Sequence, residues 1–113
     1  LNIQDHPITW VSGMSPALSS VQEAILLGLV DKGWTGIAIS PGLIEGSILV
    51  RGKHFAAVFI SFDVKRYSIQ YKESINLDYN PEKKKIHRNY NKWIINLQNS
   101  IDRRLIEMQS GKT

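Results

Sequence analysis

The chain has 113 residues, no cysteine, 42% hydrophobic and 21% charged side chains, and a formal net charge of +4. That length fits one domain, and the missing thiols exclude a disulfide framework, a thiolate zinc site and a cysteine nucleophile within these residues. The longest apolar runs, such as 24–30, fall far short of the roughly 20 residues that a membrane-spanning helix needs.

The positive charge is concentrated late, in Lys83, Lys84, Lys85, Arg88, Lys92, Arg103 and Arg104. Such a cluster could meet phosphate, anionic lipid or acidic glycan; the simpler reading is a solvated helix face and loop. Leu1-Asn2-Ile3-Gln4-Asp5 has neither the basic start nor the apolar centre of a signal peptide.

Residues 1–14 show no lasting period and read as an N-terminal tail, although Ile8, Trp10 and Val11 could form a short edge segment. Residues 15–33 read as a helix. Ser15-Pro16 offers a capping hydroxyl before a first-turn proline, and Ser20 with Glu23 offers a second start one turn later. Leu18, Val21, Ile25, Leu26 and Leu29 make one stripe, and Gly33 can supply the left-handed residue that stops the helix.

From residue 34 the period changes to two. Strands are expected over 34–40, 43–51, 54–62 and 67–73, divided by Pro41-Gly42, by Arg51-Gly52-Lys53 and by Asp63-Val64-Lys65-Arg66. Such short links imply antiparallel neighbours and a meander. Residues 74–85 form a polar connection. A second helix is expected over 86–108, with Tyr90, Ile94, Leu97, Ile101, Leu105 and Met108 on one side, and Lys92, Gln98, Asp102 and Arg103 largely elsewhere. Residues 109–113 should fray.

The expected fold is therefore α+β: a four-stranded antiparallel meander with an N-terminal and a C-terminal helix on one face, forming a single domain over 15–108. The third strand complicates the other face. His54, Ala56, Val58, Ile60 and Phe62 point one way, while Phe55, Ala57, Phe59 and Ser61 point toward water. Phe55 and Phe59 mark that face for a partner, for a second copy, or for cover by the N-terminal segment with Trp10.

Catalytic and metal patterns are absent. His6, His54 and His87 have no metal-ligand spacing, no GxSxG elbow occurs, and Glu45 and Glu73 could be sheet neighbours without forming a cleft pair. The glycines match neither phosphate-loop pattern, so no cofactor and no enzymatic step is expected. Strand aromatics in a basic chain resemble RNA-binding sheets, but there the helices interleave with the strands, whereas here they bracket them.

The most specific stretches are Tyr67-Ser68-Ile69-Gln70-Tyr71-Lys72-Glu73-Ser74-Ile75-Asn76-Leu77 and Ile86-His87-Arg88-Asn89-Tyr90-Asn91-Lys92-Trp93-Ile94, with Asn96-Leu97 following. Upstream, Ala24-Ile25, Gly33-Trp34, Pro41-Gly42-Leu43-Ile44-Glu45-Gly46, Arg51, His54, Ala56, Val58 and Ile60 make a third ordered pattern. With these motifs, residues 21–105 resemble a family of small lipoproteins of Gram-negative bacteria. The resemblance implies residence in the cell envelope and an acylated cysteine before the domain, so any membrane contact is expected through an anchor outside these residues. It carries no activity.

Tyr71, Asn76, His87, Asn89, Asn91 and Trp93 surround the passage from the fourth expected strand to the second helix. The simpler reading makes Asn89 a helix cap, Asn76 a turn former, and His87 or Asn91 anchors of the loop backbone. The alternative makes the group a polar pocket, beside Tyr79, for a sugar or peptide fragment. The function expected is a non-catalytic envelope domain that binds a protein partner or cell-wall component. A nucleic-acid-binding domain using the basic last helix is the alternative, and a small hydrolase a third.

Overall fold

The structure, a computed structural model, describes residues 2–10, 17–52, 54–75 and 88–109, with the side chains of Arg88 and Asn89 excepted. Asn76, His87, Tyr79 and the Ser15-Pro16 pair lie outside those residues.

The first helix, α1 (Leu18–Asp31), starts after Ala17, whose extended backbone (φ −129°, ψ 134°) lets its carbonyl accept from Ser20 and Val21. Among the described residues, no side chain caps it. Ser20 is already inside the helix, which corrects the capping-box expectation. Its far end closes as a Schellman motif. Gly33, at φ +82°, donates to the Val30 carbonyl, and Trp34 donates to Leu29 while its indole is buried.

Among the described residues, five strands form one antiparallel sheet. They are β1 (Ile3–Pro7), β2 (Thr35–Ser40), β3 (Leu43–Val50), β4 (His54–Phe62) and β5 (Arg66–Ile75), in the order β1-β5-β4-β3-β2. The meander of four is as expected. The fifth strand corrects the expectation of a four-stranded sheet, and it takes 3–7 of the expected N-terminal tail as an edge strand. β1 has no apolar alternation, because it is an edge strand held mainly by backbone pairing. Its anchors include the Asp5 amide on Ser68 Oγ at 2.9 Å and, just before it, Asn2 Oδ1 accepting from the Tyr71 amide at 2.9 Å.

Turn chemistry sets the meander's corners. Gly42 (φ +85°) follows Pro41, and Arg51 (φ 56°) shares the left-handed region with Gly52. At the third corner, Asp63 Oδ1 accepts from the Lys65 and Arg66 amides at 2.7 and 2.9 Å. Those amides, with the neighbouring cations, hold its carboxyl below the usual range.

The second helix, α2 (Arg88–Gln109), begins one residue before Asn89, so Asn89 lies in its first turn and does not precede it as a cap. Both helices cover one sheet face. Leu97 and Ile101 share a buried cluster with Val58 and Ile69, and Ile48 packs against it. Where the helices meet, a Cβ on Gly28 would stand 2.9 Å from the Ile101 Cα, and Ser100 Oγ donates to the Gly28 carbonyl at 2.9 Å. Only hydrogen at Gly28 allows that approach.

Candidate partner-binding face

Pleating sends alternate side chains of each strand to opposite faces, so the register decides which residues share the side that α1 and α2 do not cover. Leu49 stands opposite Phe55, and Phe55 opposite Ile75, which makes a row across β3, β4 and β5. Leu49 is 61% and Ile75 59% exposed, with Phe55 half-buried between them. The next row, Ser47, Ala57 and Glu73, is polar at both ends around a buried alanine. Beyond it, Ile37 (59% exposed) faces Glu45, and Glu45 faces Phe59.

Phe55 and Phe59 therefore both lie on the outer face, but in different surroundings. The Lys72 ammonium sits 5.3 Å from the Phe59 ring centroid, 3.0 Å from Glu45 Oε2 and 4.0 Å from Glu73 Oε1. Phe59 thus lies under a cation that also bridges the two carboxylates suspected as sheet neighbours. Phe55 has aliphatic neighbours on both sides. Among the described residues, the N-terminal segment does not cover this face: Trp10 packs against the core, its indole N–H donating to the Val64 carbonyl.

Sequence parity already puts Leu49 beside Glu45 and Ser47, although the motif reading passes over it. Ile75 is not found by parity, because a bulge intervenes. Ala57 pairs with Glu73 but Val58 pairs with Tyr71, so Lys72 is the extra residue and the alternation flips. Past the bulge Ser74 turns inward, where its Oγ lies 2.9 Å from Tyr71 Oη, and Ile75 turns outward.

The polar group expected around the α2 entry is only partly described. Tyr71 is half-buried and packs edge-on to Tyr90 with ring centroids 5.8 Å apart. Trp93 packs at the core's edge and Asn91 is half-buried. Tyr90 itself is fully buried, and its hydroxyl has no hydrogen-bond partner among the described residues.

A second polar cluster has no sequence signal, since its members are up to 96 residues apart. Asp102 Oδ1 accepts the buried Tyr67 hydroxyl at 2.7 Å, and Asp102 Oδ2 lies 3.0 Å from His6 Nε2. Gln98 Nε2 is 3.0 Å from His6 Nδ1, and the imidazole packs edge-on to the Tyr67 ring at 5.1 Å. With the Gln98 amide donating, Nδ1 accepts and Nε2 carries the proton toward Asp102. Both ring nitrogens are thus engaged, and the cluster ties β1 to β5 and α2. A groove of about 190 Å³ opens beside it, past Thr9, Leu105, Ile106 and Gln109. Asp102 accordingly belongs at the border of the packed side of α2, not away from it.

No group of three or more potential metal ligands occurs among the described residues, and no described helix is long and apolar enough to cross a membrane. The chain matches no protein-family model, no curated protein and no solved structure.

Proposed function

We propose that this chain is a non-catalytic binding domain of the bacterial cell envelope, held there by a lipid anchor outside these residues, and that it takes a protein partner on its outer sheet face. The observation that carries the binding role is the row Leu49, Phe55 and Ile75. It sets two exposed aliphatic side chains around an aromatic one, on the face opposite the two helices. An apolar row with a polar rim fits the centre of a protein–protein contact. A glycan would be better served by an uncovered ring flanked by hydrogen-bonding groups, and here the flanks are leucine and isoleucine. The envelope setting rests on the resemblance of the 67–77 and 86–97 motifs to small Gram-negative lipoproteins.

Engagement of both His6 nitrogens supports a structural tie and not a catalytic base. The nucleic-acid alternative has less support, because Arg104 is bound through two nitrogens to Asp31, at 2.7 and 2.8 Å. That guanidinium holds the Asp31 carboxyl below its usual range.

A photoreactive side chain at position 55, in the anchored protein in native envelopes, tests the reading. It should give a discrete protein adduct that Ile75→Lys abolishes, while the same probe at Arg103 on α2 gives none. An adduct to cell-wall polymer would replace the protein partner with a glycan one. Labelling no stronger than at Arg103 would refute the face as a binding surface.

A further inference from the structure

Asp102 carries a charge that no cation of the described chain answers. Its Oδ1 accepts the Tyr67 hydroxyl at 2.7 Å, and its Oδ2 lies 3.0 Å from His6 Nε2. With His6 Nδ1 accepting from the Gln98 amide at 3.0 Å, the imidazole is neutral, so both donors are neutral. Among the described residues, no lysine or arginine pairs with Asp102, whereas Asp31 is held by Arg104 and Glu45 by Lys72. The Asp102 side chain is nonetheless only 34% exposed. A charge drawn that far from water without a counter-ion costs stability, and a bound cation would offset the cost.

The groove beside this carboxylate has a matching shape. It holds about 190 Å³, and its walls include Pro7, Ile8, Leu105 and Ile106. Ile8 and Leu105 belong to the core, while Ile106 is 67% exposed. That volume is a little above the roughly 150 Å³ of a cavity that takes up benzene, and below the ~300 Å³ at which drug-sized pockets begin. It suits one short chain. The donors around it do not suit an anion. No lysine or arginine lines it among the described residues, His6 Nε2 is committed to Asp102, and Gln109 Nε2 donates to the Thr9 carbonyl at 2.7 Å.

We infer that this groove binds a primary ammonium on an unbranched aliphatic stem, with the ammonium on Asp102 and the stem along Leu105 and Ile106. A carboxylate has about four acceptor sites, of which two are used here, and an ammonium brings three donors. A guanidinium needs both oxygens along one edge, and each oxygen is already engaged. Lysine side chains and free alkylamines share the required chemistry, an apolar stem with a charged head. The site lies between β1 and α2 on the helix side of the sheet, so it is independent of the outer face.

Titration with n-butylammonium at constant ionic strength, followed by amide NMR, tests the site. So small a probe supports a Kd on the order of 1 mM, and titration to about 50 mM covers it. Shifts should concentrate at residues 6–9 and 102–109, and n-butanol should bind at least tenfold more weakly. Asp102→Asn should weaken amine binding at least tenfold. Because that change also touches Tyr67 and His6, Ile106→Lys supplies a second variant at an exposed position, where its tethered ammonium should exclude the probe. Asp31→Asn, at a carboxylate already paired with Arg104, should leave binding unchanged. A lysine blocked as its acetyl and methylamide derivative separates the two sources. Binding at least as tight as that of n-butylammonium assigns the groove to a lysine of a protein, and weaker binding assigns it to a free amine. Shifts spread evenly over exposed carboxylates, n-butanol binding as tightly as the amine, or affinity that survives both Asp102→Asn and Ile106→Lys would overturn the site.

Discussion

Two tyrosines in one interior sit in opposite circumstances. Tyr67 and Tyr90 are both fully buried, but the Tyr67 hydroxyl donates to Asp102, whereas that of Tyr90 has no partner among the described residues. A buried hydrogen bond to a charged acceptor is worth about 1.5–3 kcal/mol, and a buried unpaired hydroxyl is a liability of similar size. Tyr67→Phe should therefore lower stability in urea unfolding by about 2 kcal/mol, while Tyr90→Phe should raise it by about 1 kcal/mol. Equal effects would show that the hydroxyls are not differently satisfied. Burial pushes both phenols above their ordinary range, and Asp102 adds to the effect at Tyr67. Their unfolded pKa is about 10, so above that pH the unfolded chain loses protons that the folded one keeps. Stability should fall as pH rises past about 10, and Tyr67→Phe should make that fall shallower in alkaline urea titrations.

Between elements, the two helices approach closely at Gly28. Alanine there would gain about 1 kcal/mol in helix propensity, but its methyl would meet the Ile101 backbone at 2.9 Å, an obstacle that no rotamer removes. Overpacking wins, and Gly28→Ala should lose about 2 kcal/mol net in thermal or urea unfolding. This contact was not legible in the sequence, where Gly28 looks like one more small helix residue. What was legible follows from period and punctuation: both helices, four of five strands, and the shared interior of Leu97, Ile101, Val58 and Ile69. β1 escaped because an edge strand needs no apolar alternation. The candidate face was half legible. Phe55 and Leu49 follow from parity, but Ile75 depends on the bulge at Lys72, which only pairing with β4 reveals. The His6, Asp102, Tyr67 and Gln98 cluster depends on residues from both ends of the chain meeting, and no local pattern encodes that.

At the scale of the molecule, both helices seal one side of the sheet and leave the other with a graded surface. At one end Lys72 covers Phe59 and neutralises Glu45; at the other Leu49 and Ile75 stand open around Phe55. The proposed partner contact requires that the exposed aliphatic side chains contribute little to the chain's own fold. Equilibrium urea unfolding of Leu49→Lys tests this requirement most directly. A surface position should keep its stability within about 0.5 kcal/mol of the unaltered chain. A loss of about 2 kcal/mol or more would mean that Leu49 belongs to a second buried layer, and the face would not be free for a partner.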